Sequence, residues 1–161
     1  MFGRARRATA EKVAGDLAAA VLDPETCRAA AARLSGRPSP DPVGSCEMAF
    51  AGAATLKHVI ADTQSPAIAA RMTVAIDAAV ADVFGGAHTP QTEAHYGPDS
   101  LAQAAAAAVA RYQGDAFWSK RLAETLGARL GISEAPSMDV ARIFSDITED
   151  SVLAISKFRI V

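Results

Sequence analysis

The sequence predicts an all-α, single-domain bundle of about seven or eight helices around a central helical hairpin formed by residues 45–84. Alanine, the strongest helix former, occurs 38 times in the 161 residues. Valine, isoleucine, threonine and aromatic residues, which favour strands, are scattered. Capping residues and prolines recur just before runs of apolar residues spaced three or four apart, the pattern of amphipathic helices. The length suits one domain over residues 1–161.

Two short helices are predicted to follow a basic N-terminal segment. Residues 1–8 predict a flexible basic arm. Thr9 is a suitable N-cap for the first helix, and Asp23, followed by proline and an acidic residue, starts the second. Gly36 ends the second helix, and residues 36–44 predict a Pro-rich linker inside the domain, because closely spaced prolines prevent helix formation. The arm carries three arginines: Arg4, Arg6 and Arg7.

The central hairpin is predicted from two long apolar helices. The run from Ser45 to Thr63 is apolar on every side, which is typical of a buried helix. Gly52 within it indicates a close crossing with another helix. A second helix starts at Pro66 and ends before Gly85. Its apolar stripe consists of Ile68, Met72, Ile76, Val80, Val83 and Phe84.

The C-terminal half predicts a polar loop followed by three more helices. Residues 87–96 form the loop, and the helices cover residues 98–114, 115–131 and 137–147. The tail, residues 151–161, is ambiguous. Its apolar residues have helical spacing, but its end alternates between polar and apolar residues as a strand does.

Composition limits the classes of function. The net charge of −2 indicates no particular class of partner. No apolar run is long enough to form a transmembrane helix. No secretory pattern follows the basic N-terminus. Cys27 and Cys46 are too few for a disulfide framework, so reduced, buried thiols in a cytoplasmic protein are expected.

Common catalytic motifs are not found in the sequence. It contains no phosphate-binding glycine-rich loop, nucleophile elbow, HExxH or CxxC pair. We therefore expect a non-enzymatic protein without a cofactor.

His88, Glu93 and His95 form the best cluster of potential metal ligands. Imidazole and carboxylate groups together can hold Zn²⁺ or another divalent ion, and a long loop is a common place for function. Their spacing matches no established ligand pattern, so solvated polar residues are the alternative interpretation, and no metal site is assigned.

Residues 122–133 resemble the first helix and turn of a helix-turn-helix. This resemblance would imply a DNA-binding regulator, with the N-terminal arginines contacting phosphates. However, Pro136 falls where the recognition helix should be running, and Glu134 and Asp139 would face phosphates with the wrong charge. Nucleic acid is therefore not the expected partner.

Phe117, Trp118 and Phe158 are large apolar residues in an alanine-rich sequence. They could belong to the core or to an interface, where aromatic residues are enriched. The favoured function is a helical protein-interaction or regulatory module that self-associates or binds a larger partner. The alternatives are a helix-turn-helix regulator and a small metal- or ligand-binding protein that uses residues 87–99.

Overall fold

The computed structural model describes residues 5–38, 42–84, 89–97, 101–114, 120–132 and 137–161. It is 84 % helical with eight helices in one domain, which confirms the predicted all-α bundle. None of these helices combines the length and apolarity that crossing a membrane requires. The helices are α1 (Ala10–Val21), α2 (Pro24–Ser35), α3 (Pro42–Thr63), α4 (Pro66–Phe84), α5 (Pro90–Tyr96), α6 (Leu101–Gly114), α7 (Lys120–Leu130) and α8 (Ser137–Ser156).

The first two helices begin where the sequence predicts, and the second also ends there, because local chemistry fixes these termini. The Thr9 side chain accepts the backbone N–H of Lys12 at 3.2 Å, and the Asp23 carboxylate accepts that of Thr26 at 2.9 Å. Each bond satisfies one of the free N–H groups of a first turn. Gly36, with φ of 65°, ends α2 in the left-handed conformation.

Helix α3 occupies the centre of the domain and contacts all seven other described helices. Phe50 is fully buried on it and packs edge-on against Phe84, with ring centroids 4.9 Å apart. A Cβ atom at Gly52 would lie 2.6 Å from Cγ1 of Val21. This distance explains the glycine, since α1 approaches α3 too closely there for a side chain.

Helix α4 completes the predicted hairpin but lies further from the centre than α3. Met72, Ile76 and Val80 are buried as expected, whereas Ile68 is partly buried at the edge of the core. Val74, on the opposite face, is 69 % exposed. The helix therefore has one buried stripe, while α3 is buried nearly all round.

Three predicted boundaries were wrong. The linker assigned to residues 36–44 is shorter, because α3 already begins at Pro42, and proline is tolerated in a first turn. The polar loop at 87–96 contains α5, which starts with a capping box between Thr89 and Thr92. Helix α8 continues past residue 147 to Ser156, since its buried stripe resumes beyond the exposed turn at 149–150.

The two ends of the chain meet in a small parallel sheet. Strand β1 (Arg6–Ala8) pairs with strand β2 (Phe158–Ile160), with Arg7 directly beside Arg159. The expectation of a flexible arm over residues 1–8 is thus wrong for Arg6–Ala8, because backbone pairing with the tail holds them. The ambiguity of the tail is also resolved: its first part is helical and its end is a strand.

Candidate functional site

A groove of about 380 Å³ lies between α1 and α8 and is a candidate interaction site. Its walls are mainly apolar, with Leu17 on α1 and Ile147 on α8, and Phe158 of β2 closes one side. The groove exists because small residues, Ala20 and Ala154, stand where larger ones would fill the space between the helices. Its volume falls within the range of about 300–1,000 Å³ found for ligand clefts.

Polar groups on the wall and rim of this groove are available to a ligand. The Ser151 side chain lines it, is only 2 % exposed, and makes no hydrogen bond to another described residue. The Asp150 carboxylate likewise has no ion pair or hydrogen bond within the described part of the chain. Asp16, also lining the groove, pairs with Lys12 at 2.9 Å, but both side chains are mostly exposed. The groove therefore combines an apolar interior with negative charge.

A second cavity, of about 390 Å³, lies near the N-termini of α2 and α3. Both cysteines, Cys27 and Cys46, line it; they are buried and form no disulfide bond. Burial, with smaller contributions from Asp23 and Cys46, raises the pKa of the Cys27 thiol to about 12. Because the thiolate is the reactive form, Cys27 is a poor nucleophile at neutral pH. This cavity accordingly offers apolar space rather than thiol chemistry.

Glu47 on α3 is fully buried and holds three helices together. Its Oε1 accepts a hydrogen bond from the Tyr96 hydroxyl of α5 at 2.8 Å, and its Oε2 accepts one from the Tyr112 hydroxyl of α6 at 2.5 Å. Arg111 lies 3.9 Å from Oε1. A buried carboxylate needs such partners, since desolvation otherwise makes its charge very costly.

Burial and the carboxylate of Glu47 also act on the two tyrosines. Desolvation first, and the negative charge of Glu47 second, raise the pKa of both Tyr96 and Tyr112 well above the usual value. For Tyr112, Arg129 and Arg111 offset a small part of this effect. Both hydroxyls thus stay protonated and donate to Glu47. Glu47 lines neither of the two cavities described above, and we assign the cluster a structural role.

The proposed metal-binding residues are not brought together by the described part of the fold. Glu93 and His95 are exposed on α5, and the His95 ring stacks edge-on against Tyr96 at 4.7 Å. His88 lies outside the described residues. Within the described ranges, no group of three or more His, Cys, Asp or Glu side chains is placed to hold a metal ion.

The helix-turn-helix interpretation gains little from the geometry. Helix α7 is followed by Gly131 in the left-handed conformation, as in such a turn. The next helix, α8, buries Val140 and Phe144 in the core, and Asp139 in its first turn pairs with Arg33 of α2 at 3.0 Å. An acidic first turn already engaged with another helix is unsuited to a DNA groove.

Of the three predicted interaction residues, the structure describes only Phe158. Phe117 and Trp118 lie outside the described residues, whereas Phe158 is partly buried and lines the α1–α8 groove. Sequence reasoning missed Glu47, whose signal was a single charge inside an apolar helix. It also missed Asp150 and Ser151, which resemble ordinary helix surface until α1 is placed beside them.

Comparison with known proteins supplies no relative from which a role could be transferred. No protein-family model, curated protein or solved structure matches this chain.

Proposed function

We propose that this protein is a non-enzymatic interaction module that binds a protein segment in the α1–α8 groove. The segment carries a large apolar side chain next to a lysine or arginine. The observation that supports this proposal is the groove itself, which has apolar walls and, at its rim, the Asp150 carboxylate with no cationic partner among the described residues. Its two buried cysteines form no disulfide bond, which suits a reducing cytoplasm as the place where it acts.

The interior of the groove selects an apolar group. The groove is lined by the apolar side chains of Val13, Leu17, Ile147 and Phe158. Transfer of a partner's apolar side chain into this space is favourable by about 25 cal/mol per Å² buried. A buried anchor of this kind commonly supplies most of the free energy of binding at an interface.

The negative charge at the rim of the groove favours a basic residue next to the apolar anchor of the bound segment. Asp150 has no cationic partner among the described residues, and the Asp16–Lys12 pair is open to solvent. A lysine or arginine beside the apolar anchor would supply the missing positive charge. The Ser151 hydroxyl, which bonds to no other described residue, offers a hydrogen bond inside the groove.

The surface beside the groove favours a protein over a small molecule. Leu153 is 59 % exposed and lies one helical turn from Asp150 on α8. Such an exposed leucine extends the apolar area beyond the groove and suits a larger partner. A second copy of this chain is one such partner, and we expect self-association at micromolar concentration.

Selection from a random peptide library displayed on phage tests the proposal without a known partner. We expect the selected peptides to share a large apolar residue next to a basic one. Ala20→Phe fills the groove and should weaken their binding roughly 30-fold or more, the equivalent of losing a hot-spot anchor of about 2 kcal/mol. Ala19→Phe is the matched control, since Ala19 is exposed on the same helix but does not line the groove.

A second pair of variants tests the charge preference. Asp150→Asn should weaken binding of the same peptides about two- to fivefold, as expected for an exposed ion pair. Glu149→Gln removes an equal charge from the neighbouring residue, which does not line the groove, and should change little. Selection of acidic peptides, or equal losses from Ala19→Phe and Ala20→Phe, would refute the proposal.

A further inference from the structure

The paired ends of the chain bring four basic residues close together, with Arg7 and Arg159 on one face of the small sheet and Arg6 on the opposite face. Arg6 and Arg7 of β1, and Lys157 and Arg159 at β2, are all exposed. We call these four residues the basic ribbon. In sequence they belong to opposite ends of the chain, and only the parallel pairing of β1 with β2 brings them together.

The charges of the basic ribbon are uncompensated within the described part of the chain. None of the four side chains forms an ion pair or hydrogen bond with another described residue. Three other exposed arginines are paired: Arg28 with Glu25, Arg33 with Asp139, and Arg71 with Glu11. Arg37, Arg121 and Arg142 are also exposed without an ion pair to a described residue, but each lies on a separate segment of the chain. The basic ribbon is therefore a surface whose cations can bind an external anion.

The register places two arginines side by side on adjacent strands. Arg7 and Arg159 are direct neighbours on adjacent strands, and neighbouring strands lie about 4.8 Å apart. Because register partners point to the same face of a sheet, both side chains leave from one face. When the two guanidinium groups come close together their positive charges repel each other, and an anion bound between them removes this repulsion.

Arginine makes phosphate the favoured anion. Its planar guanidinium donates two parallel hydrogen bonds to phosphate oxygens, and three of the four cations in the ribbon are arginines. We propose that the basic ribbon binds the phosphate backbone of nucleic acid without reading its sequence. This site is separate from the α1–α8 groove and goes beyond the function proposed for it.

This inference differs from the helix-turn-helix interpretation in the surface it uses. The arginines of the N-terminal segment alone offer little charge for binding, but the fold adds Lys157 and Arg159 beside them. Neutralising four phosphates predicts a slope of about −3.6 for log Kobs against log salt on duplex DNA. Affinity should then fall about 150-fold between about 50 and 200 mM salt.

The test measures binding of a fluorescently labelled, mixed-sequence DNA duplex to the whole protein by anisotropy across this salt range. Arg7→Gln combined with Arg159→Gln should reduce the slope to about −1.8, so that the same change in salt costs only about 12-fold. Arg28→Gln combined with Arg33→Gln is the control. It removes the same charge from arginines that are already paired, and should leave the slope near the wild-type value.

Three results would overturn the inference. The first is an absence of salt-dependent duplex binding by the wild-type protein, and the second is an equal loss in the ribbon and control variants. The third is binding to phosphatidylserine vesicles but not to the duplex, which would assign the ribbon to a lipid surface. Circular dichroism on each variant checks that the fold is kept, which we expect because these side chains are exposed.

Discussion

Removing the Tyr112 hydroxyl should destabilise the protein measurably, although the rest of the side chain stays in place. The substitution Tyr112→Phe deletes the donor to Oε2 of Glu47, a carboxylate with no exposure to solvent. Hydrogen bonds to charged groups contribute about 1.5–3 kcal/mol. At roughly 2–4 °C per kcal/mol for a chain of this size, the melting temperature should fall by about 3–12 °C.

The pH dependence of this loss distinguishes the hydrogen bond from simple packing. Tyrosine in the unfolded chain ionises near pH 10, whereas the folded-state pKa of Tyr112 is raised by burial and by Glu47. Above about pH 10 the unfolded state therefore binds fewer protons than the folded state, and stability falls as pH rises. The contribution of Tyr112 should fall by up to about 1.4 kcal/mol per pH unit. The loss of unfolding free energy caused by Tyr112→Phe, relative to the wild-type protein, should therefore shrink by the same amount.

Urea denaturation near pH 8, 10 and 11 measures these quantities, since the unfolded tyrosine titrates in this range. In a Glu47→Gln background, Tyr112→Phe should cost only about 0.5–1.5 kcal/mol, because the bond is then between neutral groups. A loss below about 0.5 kcal/mol near pH 8 would refute the reasoning. So would a deficit that does not change between pH 10 and 11.

Three further predictions follow from packing and burial. Gly52→Ala should destabilise by up to about 2 kcal/mol through overlap with Val21, yet stabilise by about 1 kcal/mol in a Val21→Ala background. Denaturant melts giving the same sign in both backgrounds would contradict this. Ile76→Ala should cost about 2–5 kcal/mol, against at most about 0.5 for exposed Val74→Ala; a loss under about 1 kcal/mol would make α4 peripheral. With its pKa raised to about 12, Cys27 should react with a disulfide reagent at neutral pH only as the protein unfolds, and rapid labelling found by peptide mapping would contradict its burial.

Much of the helical framework could be predicted because its determinants are local. The N-caps Thr9 and Asp23 bond to backbone groups three residues ahead, and Gly36 ends its helix through its own backbone conformation. Each acts within a turn or two of helix, so the sequence pattern alone contains the necessary information. The buried stripe of α4 follows in the same way from the 3.6-residue period.

The short helix α5 was not predicted from the sequence, which was interpreted as a polar loop in this region. Thr89, Pro90 and Thr92 carry ordinary helix-start chemistry, but the surrounding residues are polar and show little apolar periodicity. The helix persists because it is anchored from outside, through the bond from Tyr96 to Glu47. That bond joins residues 49 positions apart. No periodicity in either segment could have indicated it.

The two candidate surfaces were decided by tertiary structure alone. The groove depends on Ala20 of α1 and Ala154 of α8 lining the same space, and the basic ribbon depends on Arg7 lying beside Arg159. In the sequence, the alanines at these positions look like ordinary helix residues and the arginines like ordinary surface residues. The residues that pack beside them in the fold are far away in the chain, so the local sequence does not reveal them. The sequence by itself determined which segments become helices and which of their faces are apolar. Only the packing of those segments decided where space was left unfilled and where like charges came together, since both depend on contacts between residues far apart in the chain.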